Sequence, residues 1–221
     1  MWMTNNLKYW SCLMMNRDLK IMKDLEKFRV MSRDDIIDLY FSHLKNPITN
    51  ANTVLKRLVR DNQIEVSRSF SPYVYFPYGS NMKRDSTKIP HFLKIVDVYK
   101  QIKQYEDPVV FEVEPKYSKG LAEPDILTTI KGVHCFIEVQ RNLYSQKVMD
   151  QKIKRYEALK YSDEFIDSKF PVVIMVSEAK YKINHDDINV VQVSSINDFM
   201  NSINVRKKKY VKPREVSVKI G

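Results

Sequence analysis

Two spacings of apolar residues divide the chain into a helical first part and a second part rich in strands. In the first part, residues 17–29 carry apolar side chains at the three-residue steps of a helix: Leu19, Met22, Leu25 and Phe28. Ser32, followed by a basic and two acidic residues, predicts the N-cap of a second helix. A third helix is predicted near residues 50–61, and residues 64–70 and 73–77 alternate like two strands joined by a Ser-Pro turn.

Three helices followed by a β-hairpin are the element order of a winged helix domain. We predict this domain over residues 17–78, behind an N-terminal packing segment at 1–16. In that architecture the third helix enters the major groove of DNA and the hairpin contacts the backbone. The placement predicts the following DNA contacts: Asn52, Lys56, Arg57, Arg60 and Arg68. The alternative is a small helical domain in which these charges form a solvated face.

The second part, predicted over residues 88–205, mixes helices and strands. Its predicted elements are a helix at 91–105, strands at 109–113, 124–130 and 134–140, a helix at 146–160, strands at 171–176 and 189–193, and a short helix at 196–200. A three-strand meander followed by a helical crossover implies a mixed sheet. The predicted fold class is therefore α/β, of the mixed α+β kind.

Composition and charge indicate what kind of partner the chain binds. The 221 residues are 43% hydrophobic and 29% charged, as in a soluble globular protein. The net charge of +10 is concentrated at the ends: residues 1–84 hold 14 Lys and Arg against 8 Asp and Glu, and residues 206–221 hold 7 against 1. Basic flanks fit a polyanion such as double-stranded DNA. The basic tail at 206–221, with Lys207, Lys208 and Lys209, is predicted to bind the DNA backbone, and mere solubility is the alternative.

Cysteine usage and the N-terminus bear on the compartment. The two cysteines have no metal-ligand spacing, and Cys135 lies in an apolar run that predicts a buried, reduced thiol of a cytoplasmic protein. Residues 1–16 are rich in Met but lack the basic start and the cleavage site of a signal peptide. We therefore expect a cytoplasmic protein with no membrane partner.

Candidate chemistry is concentrated in the stretch EPDILTTIKGVHCFIEVQ at residues 123–140. A hairpin that turns at a Lys-Gly pair brings the start of its first strand, at Asp125, to the end of its second strand, at Glu138. Two converging carboxylates repel one another unless a cation lies between them, and such hard oxygen ligands suit Mg²⁺. Glu138 and Gln140 are two residues apart, so we expect them on the same face of the strand.

This stretch, set in a helix–three strands–helix–strand order, resembles the PD-(D/E)XK nuclease superfamily over about residues 90–180. The Pro-Asp pair at 124–125 and Glu-Val-Gln at 138–140 are the matching motif. The whole chain resembles the replication-relaxation family of plasmids, phages and integrative elements. The resemblance implies a restriction-endonuclease-like core with Asp125 and Glu138 as ligands of Mg²⁺ or Mn²⁺, and a role in replication or maintenance of a mobile element.

The third motif position, normally a lysine that acts on the attacking water, is Gln140 in this chain. Lys152, which shares a helix face with Tyr156 at i, i+4 spacing, is the predicted replacement, and both Gln140 and Lys152 belong to the predicted catalytic set. The following residues are weaker candidates for the lysine role: Arg141, Lys147 and Lys154. The following acidic residues are candidates for an additional metal ligand: Glu112, Glu114 and Asp97.

Two functions stay open from the sequence. The first is a metal-dependent endodeoxyribonuclease, and the second is a non-catalytic DNA-binding replication accessory or transcriptional regulator. In the second, the nuclease fold is a scaffold for a homodimer or for replication proteins. A lysine that reaches the acidic pair favours the nuclease, whereas carboxylates held in ion pairs in a closed cleft favour the scaffold.

Overall fold

The computed structural model describes residues 16–166, 168–183 and 187–209, with side chains described as far as residue 203. The first half consists of three helices and a small sheet: α1 (Asn16–Phe28), β1 (Met31–Ser32), α2 (Arg33–Tyr40), α3 (Pro47–Arg60), β2 (Ile64–Ser67) and β3 (Val74–Pro77). All pairs in this sheet are antiparallel, and the strand order is β1-β3-β2. The predicted helices and hairpin therefore exist, with slightly shifted ends.

Local sequence signals explain where α2 begins. Ser32 accepts a hydrogen bond from the backbone N–H of Asp35, and the Asp35 carboxylate accepts one from the backbone N–H of Ser32. This reciprocal arrangement is a capping box, which satisfies two backbone donors that the helix itself leaves without a partner. The N-cap predicted at Ser32 is confirmed.

The buried face of α1 differs from the predicted one. The residues of this helix that the core covers are Asp18, Ile21, Leu25 and Phe28. Leu25 and Phe28 were expected there, but Ile21 takes the place expected for Leu19 and Met22. Asp18 is buried with them because Arg57 of α3 pairs with its carboxylate, so the apolar pattern alone could not predict its burial.

The second half consists of one five-stranded sheet and three helices: α4 (Ile89–Lys103), β4 (Phe111–Val113), β5 (Ile126–Ile130), β6 (Val133–Val139), α5 (Gln146–Lys160), β7 (Val172–Val176), β8 (Val190–Val193) and α6 (Ile196–Lys209). The strands lie in the order β4-β5-β6-β7-β8. The first three pair antiparallel, and β7 joins β6 and β8 in parallel. The predicted mixed α/β fold class is confirmed.

The two halves share a hydrophobic core. Phe28 of α1, Tyr99 of α4 and Phe111 of β4 form a ring cluster with centroids 4.9 to 5.8 Å apart. A continuous set of buried residues extends from α1 through α4 to Ile137 and Val139 of β6. A second cluster covers the opposite face of the large sheet, where α5 packs on Phe136 and Met175. Helix α4 therefore joins the small sheet to one face of the large sheet, and α5 covers the other.

Several expectations concern the ends of the chain and its compartment. Helix α6 is longer than the predicted 196–200, and residues 206–209 of the predicted basic tail continue this helix. Residues 210–221 of that tail and residues 1–15 of the predicted packing segment lie outside the described residues. Cys135 is buried as a free thiol, as predicted. Across the described part of the chain, each helix is too short or too polar to cross a membrane.

Candidate functional site

The hairpin of β5 and β6 brings Asp125 to the end of β6. Ile126 lies opposite Ile137 in the antiparallel register, so Asp125, one residue before β5, reaches the last residues of β6. The backbone N–H of Val139 donates a hydrogen bond of 2.7 Å to Asp125 Oδ2. The hairpin geometry predicted from the sequence is therefore present.

Glu138, the second member of the acidic pair, is only 1% exposed. Lys152 Nζ of α5 lies 2.5 Å from Glu138 Oε2, and the Tyr156 hydroxyl donates a hydrogen bond of 2.6 Å to Oε1. Lys152 and Tyr156 are one helical turn apart on α5, so both reach the same carboxylate. The structure thus brings together Glu138, Lys152 and Tyr156, as the shared helix face predicted.

The surroundings of Glu138, Lys152 and Tyr156 shift their pKa values. Burial raises the pKa of Glu138 to about 7, although Lys152 opposes the shift. Burial alone would lower the pKa of Lys152, but the charge and hydrogen bond of Glu138 prevail, so the pKa is raised. Burial and the neighbouring Glu138 also raise the pKa of Tyr156 well above its ordinary value. At neutral pH Lys152 and Tyr156 therefore keep their protons, and Glu138 is the group that titrates.

His91, at the start of α4, is a member of the site that the sequence did not reveal. Its Nε2 lies 3.2 Å from Asp125 Oδ1, and this hydrogen bond raises the pKa of His91. A lone histidine after Pro90 carries no spacing signal, since its approach to Asp125 depends on how α4 packs. A small open cavity of about 170 Å³ lies between these groups and is lined by His91, Asp125, Val139, Arg141, Asn142, Tyr144 and Lys152.

The donor set allows a test of the predicted metal site. All four carboxylate oxygens of the acidic pair face hydrogen-bond donors: His91, the Val139 N–H, Lys152 and Tyr156. Among the described residues, no three His, Cys, Asp or Glu side chains are grouped to hold a metal ion. The Lys152 ammonium beside Glu138 repels a further cation, so this arrangement does not fit Mg²⁺ or Mn²⁺. Their binding to Asp125 and Glu138 would require Lys152 and His91 to move away.

Gln140 lies apart from the acidic pair. Strand β6 ends at Val139, and the backbone N–H of Gln140 bonds to the carbonyl of Val176. Gln140 lines a separate cavity of about 420 Å³ together with Lys94, Asp97 and Gln101 of α4. Its side-chain amide is buried and has no hydrogen-bond partner among the described residues. The structure therefore does not bring Gln140 into the cavity that Asp125 and Lys152 line.

The further ligand candidates have other partners. Glu114 forms a 2.7 Å ion pair with Arg29, and Asp97 accepts a 3.0 Å hydrogen bond from Gln101. Glu112, Lys147 and Lys154 are exposed. Arg141 alone among the weaker lysine substitutes lines the small cavity with Asp125 and Lys152.

A second candidate site lies on the first half, where α3 and the hairpin form a concave surface of about 500 Å³. It is lined by Arg33, Asn52, Leu55, Lys56, Val59, Arg60, Val66, Arg68, Tyr73 and Tyr75, which we call the concave basic surface. Four of the five DNA contacts predicted in this half line it: Asn52, Lys56, Arg60 and Arg68. None of these lining residues is acidic and four are cations, of which Arg33 and Arg60 pair with the adjacent Asp34 and Asp61.

Arg57, the fifth predicted contact, lies elsewhere. Its guanidinium pairs with the carboxylate of Asp18, whose side chain is fully buried in the core. Arg57 thereby compensates a buried charge and contributes to the fold. The predicted contacts Lys207, Lys208 and Lys209 lie on the last residues of α6, and their side chains are not among those described.

Sequence reasoning missed Arg33 and Tyr73 of the concave basic surface. Arg33 was seen only as the residue after the N-cap of α2, and Tyr73 only as the start of a strand. The backbone N–H of Arg33 donates a 2.8 Å hydrogen bond to the carbonyl of Tyr73, which fixes the two residues side by side. Only the pairing of β1 with β3 brings them together, and this pairing has no local signal.

Comparison with known proteins adds little to this description. No protein-family model and no curated protein matches the chain. The crystal structure of protein VC1899 from Vibrio cholerae is similar, with a TM-score of 0.37 and 12% identity, over 87% of this chain and 53% of that one. The chain thus spans about half the length of VC1899, and at this TM-score the similarity assigns neither a fold nor a function.

Proposed function

We propose that the chain is a double-stranded DNA-binding protein with a winged helix first half and a nuclease-like second half. Its role would be in replication or maintenance of a mobile element. The observation that carries the proposal is the convergence of Asn52, Lys56, Arg60 and Arg68, from one helix and one hairpin, on a concave surface without acidic residues. Such a cationic surface fits the phosphate backbone, which supplies most of the affinity of DNA-binding proteins.

The element order supports both halves of this proposal. Three helices and a small antiparallel sheet, with α3 beside the β2–β3 hairpin, are the elements of a winged helix. An antiparallel β4-β5-β6 meander, followed by α5 and the parallel strand β7, is the order on which the resemblance to PD-(D/E)XK nucleases rests. The acidic pair of that resemblance lies at the end of the β5–β6 hairpin.

The state of the acidic pair favours binding without metal-dependent cleavage. Asp125 and Glu138 are held by His91, Lys152, Tyr156 and a backbone N–H, and their oxygens face donors. In this arrangement the nuclease-like half is a scaffold that supports α4 and, through it, the DNA-binding half. A homodimer or a replication protein remains a proposed partner for this scaffold.

Hydrolysis of DNA phosphodiesters is the second candidate function, and one observation favours it. Lys152 reaches the acidic pair from α5 and lines the cavity beside Asp125, where the resemblance requires a lysine. Incubation with supercoiled plasmid and Mg²⁺ or Mn²⁺ distinguishes the two candidates. Nicking by the parent protein, but not by an isosteric D125N/E138Q variant, would support hydrolysis, whereas DNA binding without nicking by either protein supports the scaffold.

Equilibrium binding to a short duplex, followed by fluorescence anisotropy, tests the DNA-binding proposal itself. The variant K56M/R60M/R68M removes three cations of the concave basic surface and should bind at least tenfold more weakly than the parent. A matched control, K116M/K119M/K169M, removes three exposed lysines from the second half and should retain most of the affinity. Equal affinities of both variants would contradict the assignment of the surface.

A further inference from the structure

The concave basic surface changes in character from its floor to its rim. Leu55 and Tyr75 are buried at its floor, and Val59 and Val66 beside them are half-buried. The side chains of its rim are exposed: Lys56, Arg60, Arg68 and Tyr73. The surface is therefore a pocket with an apolar floor and a cationic edge, whereas a surface that only follows the DNA backbone needs the cations alone.

Two of the four cations at the edge are available to an anion without breaking an ion pair. Arg33 and Arg60 pair with the neighbouring aspartates Asp34 and Asp61. Within the described part of the chain, Lys56 and Arg68 have no acidic partner. These two cations can therefore bind phosphates without first breaking an ion pair.

Tyr73 presents an aromatic ring beside these cations. It is 46% exposed, although its backbone carbonyl is fixed by the N–H of Arg33. Arg33, Arg68 and Tyr73 also lie close enough to the Tyr75 hydroxyl to influence its pKa, which burial raises. An aromatic ring on a fixed backbone, with cations around it, is the arrangement on which unpaired bases stack.

Intact duplex DNA offers no base face to the floor of this pocket, because its bases are stacked inside the helix. An unpaired base offers an apolar face for stacking, and the phosphates on either side of it offer charge to the edge. The volume of about 500 Å³ lies within the range of roughly 300–1,000 Å³ that small-ligand pockets span. Base and phosphates together match both parts of the pocket.

We propose that the concave basic surface takes an unpaired nucleotide of the bound DNA, with its base against Tyr73 and the apolar floor and its phosphates on Lys56 and Arg68. The inference rests on the proposed function and narrows its substrate class to duplexes that contain an unpaired nucleotide, such as bulges, gaps and forks. The base contact is independent of base identity, because every base has a face that can stack.

Anisotropy measurements at one salt concentration with three labelled DNAs test this inference. The DNAs are a blunt duplex, the same duplex with a single-nucleotide bulge, and the same bulge with an abasic residue in place of the base. The parent should bind the bulged duplex at least fivefold more tightly than the blunt one. The abasic bulge, which keeps the bend but lacks the base, should return to the affinity of the blunt duplex.

Substitutions of Tyr73 test whether its ring causes the preference for the bulged duplex. Y73A should bind the bulged duplex about 5- to 150-fold more weakly than the parent and so lose the preference for it, while Y73F should keep the preference. Y78A is the matched control, because Tyr78, which directly follows β3, is 63% exposed but does not line the pocket. Both tyrosines are exposed, so their variants should fold, which circular dichroism verifies.

The outcomes separate this inference from the proposed function. Equal affinity for blunt and bulged duplexes, or a preference that persists with the abasic bulge or in Y73A, would overturn the inference. If K56M/R60M/R68M still weakens binding to the blunt duplex in that case, the DNA-binding function stands. Absence of binding to all three DNAs would overturn both.

Discussion

Lys152 of α5 lies 2.5 Å from Glu138 of β6 and forms an ion pair with a carboxylate that is only 1% exposed. Glu138 is one of the two residues predicted from the sequence to hold a metal ion, and here its carboxylate faces the Lys152 ammonium instead. The ion pair links the helix on one face of the large sheet to the end of the β5–β6 hairpin. Together with the hydrogen bond from Tyr156, this contact holds the buried carboxylate of Glu138.

Replacing Lys152 by methionine should destabilise the protein. At pH 8, above the pKa of Glu138, the substitution keeps most of the packing but leaves this buried carboxylate without its cation. Loss of one partner of a buried pair costs about 3 kcal/mol. Denaturant unfolding of K152M measures this loss. K154M is the control on the same helix, because Lys154 is exposed, and it should change the free energy of unfolding by less than about 0.5 kcal/mol. Equal stability of the two variants would show that the pair contributes nothing.

Replacing Tyr156 by phenylalanine should have a smaller effect in the same direction. Y156F retains the buried ring but removes the hydroxyl that donates to Glu138 Oε1. A hydrogen bond to a charged group contributes about 1.5–3 kcal/mol. The same unfolding measurement should show a loss in this range, with a further rise in the pKa of Glu138. A Y156F variant as stable as the parent would contradict the described hydrogen bond.

Stability should decrease with pH through the titration of Glu138. Burial raises the pKa of this carboxyl in the folded protein from 4.5 to about 7, so the folded protein holds a proton that the unfolded chain releases. Its contribution is complete below about pH 4.5 and is lost as the pH rises through about 7, by roughly 3 kcal/mol. His91 adds a loss of the same sign, because its folded pKa is also raised.

The effect of Glu138 is isolated by comparison with E138Q, which cannot titrate at this position. The free energy of unfolding of the parent minus that of E138Q should be higher at pH 5 than at pH 8. If this difference is constant or rises with pH, Glu138 does not titrate as described.

The contacts of this site differ in how far the sequence could predict them. The meeting of Asp125 with the end of β6 follows from hairpin geometry, and Lys152 with Tyr156 follows from helical spacing, because both relationships are local. The contact of His91 with Asp125 depends on how α4 packs on the sheet, which no periodicity encodes. Gln140 was expected on the same face as Glu138 because the two are two residues apart on a strand. Instead, Gln140 lines a cavity with residues of α4, whereas Glu138 contacts Tyr156 of α5. Strand alternation does not fix the direction of a side chain at the very end of a strand, so the spacing alone could not predict this placement.

The same distinction applies to the fold. The elements and the mixed sheet follow from apolar spacing, while the partner of a charged residue does not. Arg57 was grouped with its neighbour Lys56 because both lie on the basic helix, yet it pairs with Asp18, 39 residues earlier in the chain. The burial of an aspartate on an apolar helix face cannot be predicted from local sequence, because a buried carboxylate is stable only when a cation pairs with it.

Substitution of Arg57 should therefore affect stability, and substitution of Lys56 should affect DNA binding. R57M leaves the buried Asp18 with weaker compensation, because Arg17 lies 3.5 Å from it, and should lower the free energy of unfolding by about 1–3 kcal/mol. K56M removes an exposed cation and should leave stability within about 0.5 kcal/mol of the parent while weakening DNA binding. The reverse pattern, a stable R57M with weakened binding and a destabilised K56M, would place Arg57 on the DNA.

The salt dependence of DNA binding tests the central claim most directly, because it counts the phosphates that the concave basic surface neutralises. The logarithm of the affinity for a blunt duplex is measured against the logarithm of the salt concentration for the parent and for K56M/R60M/R68M. Each phosphate contact contributes about 0.9 to the slope. The slope of the parent should therefore be steeper than that of the variant by about 2 to 3, where about 2 corresponds to Lys56 and Arg68 alone and about 3 includes Arg60. Identical slopes for the two proteins would contradict the claim that this surface binds DNA.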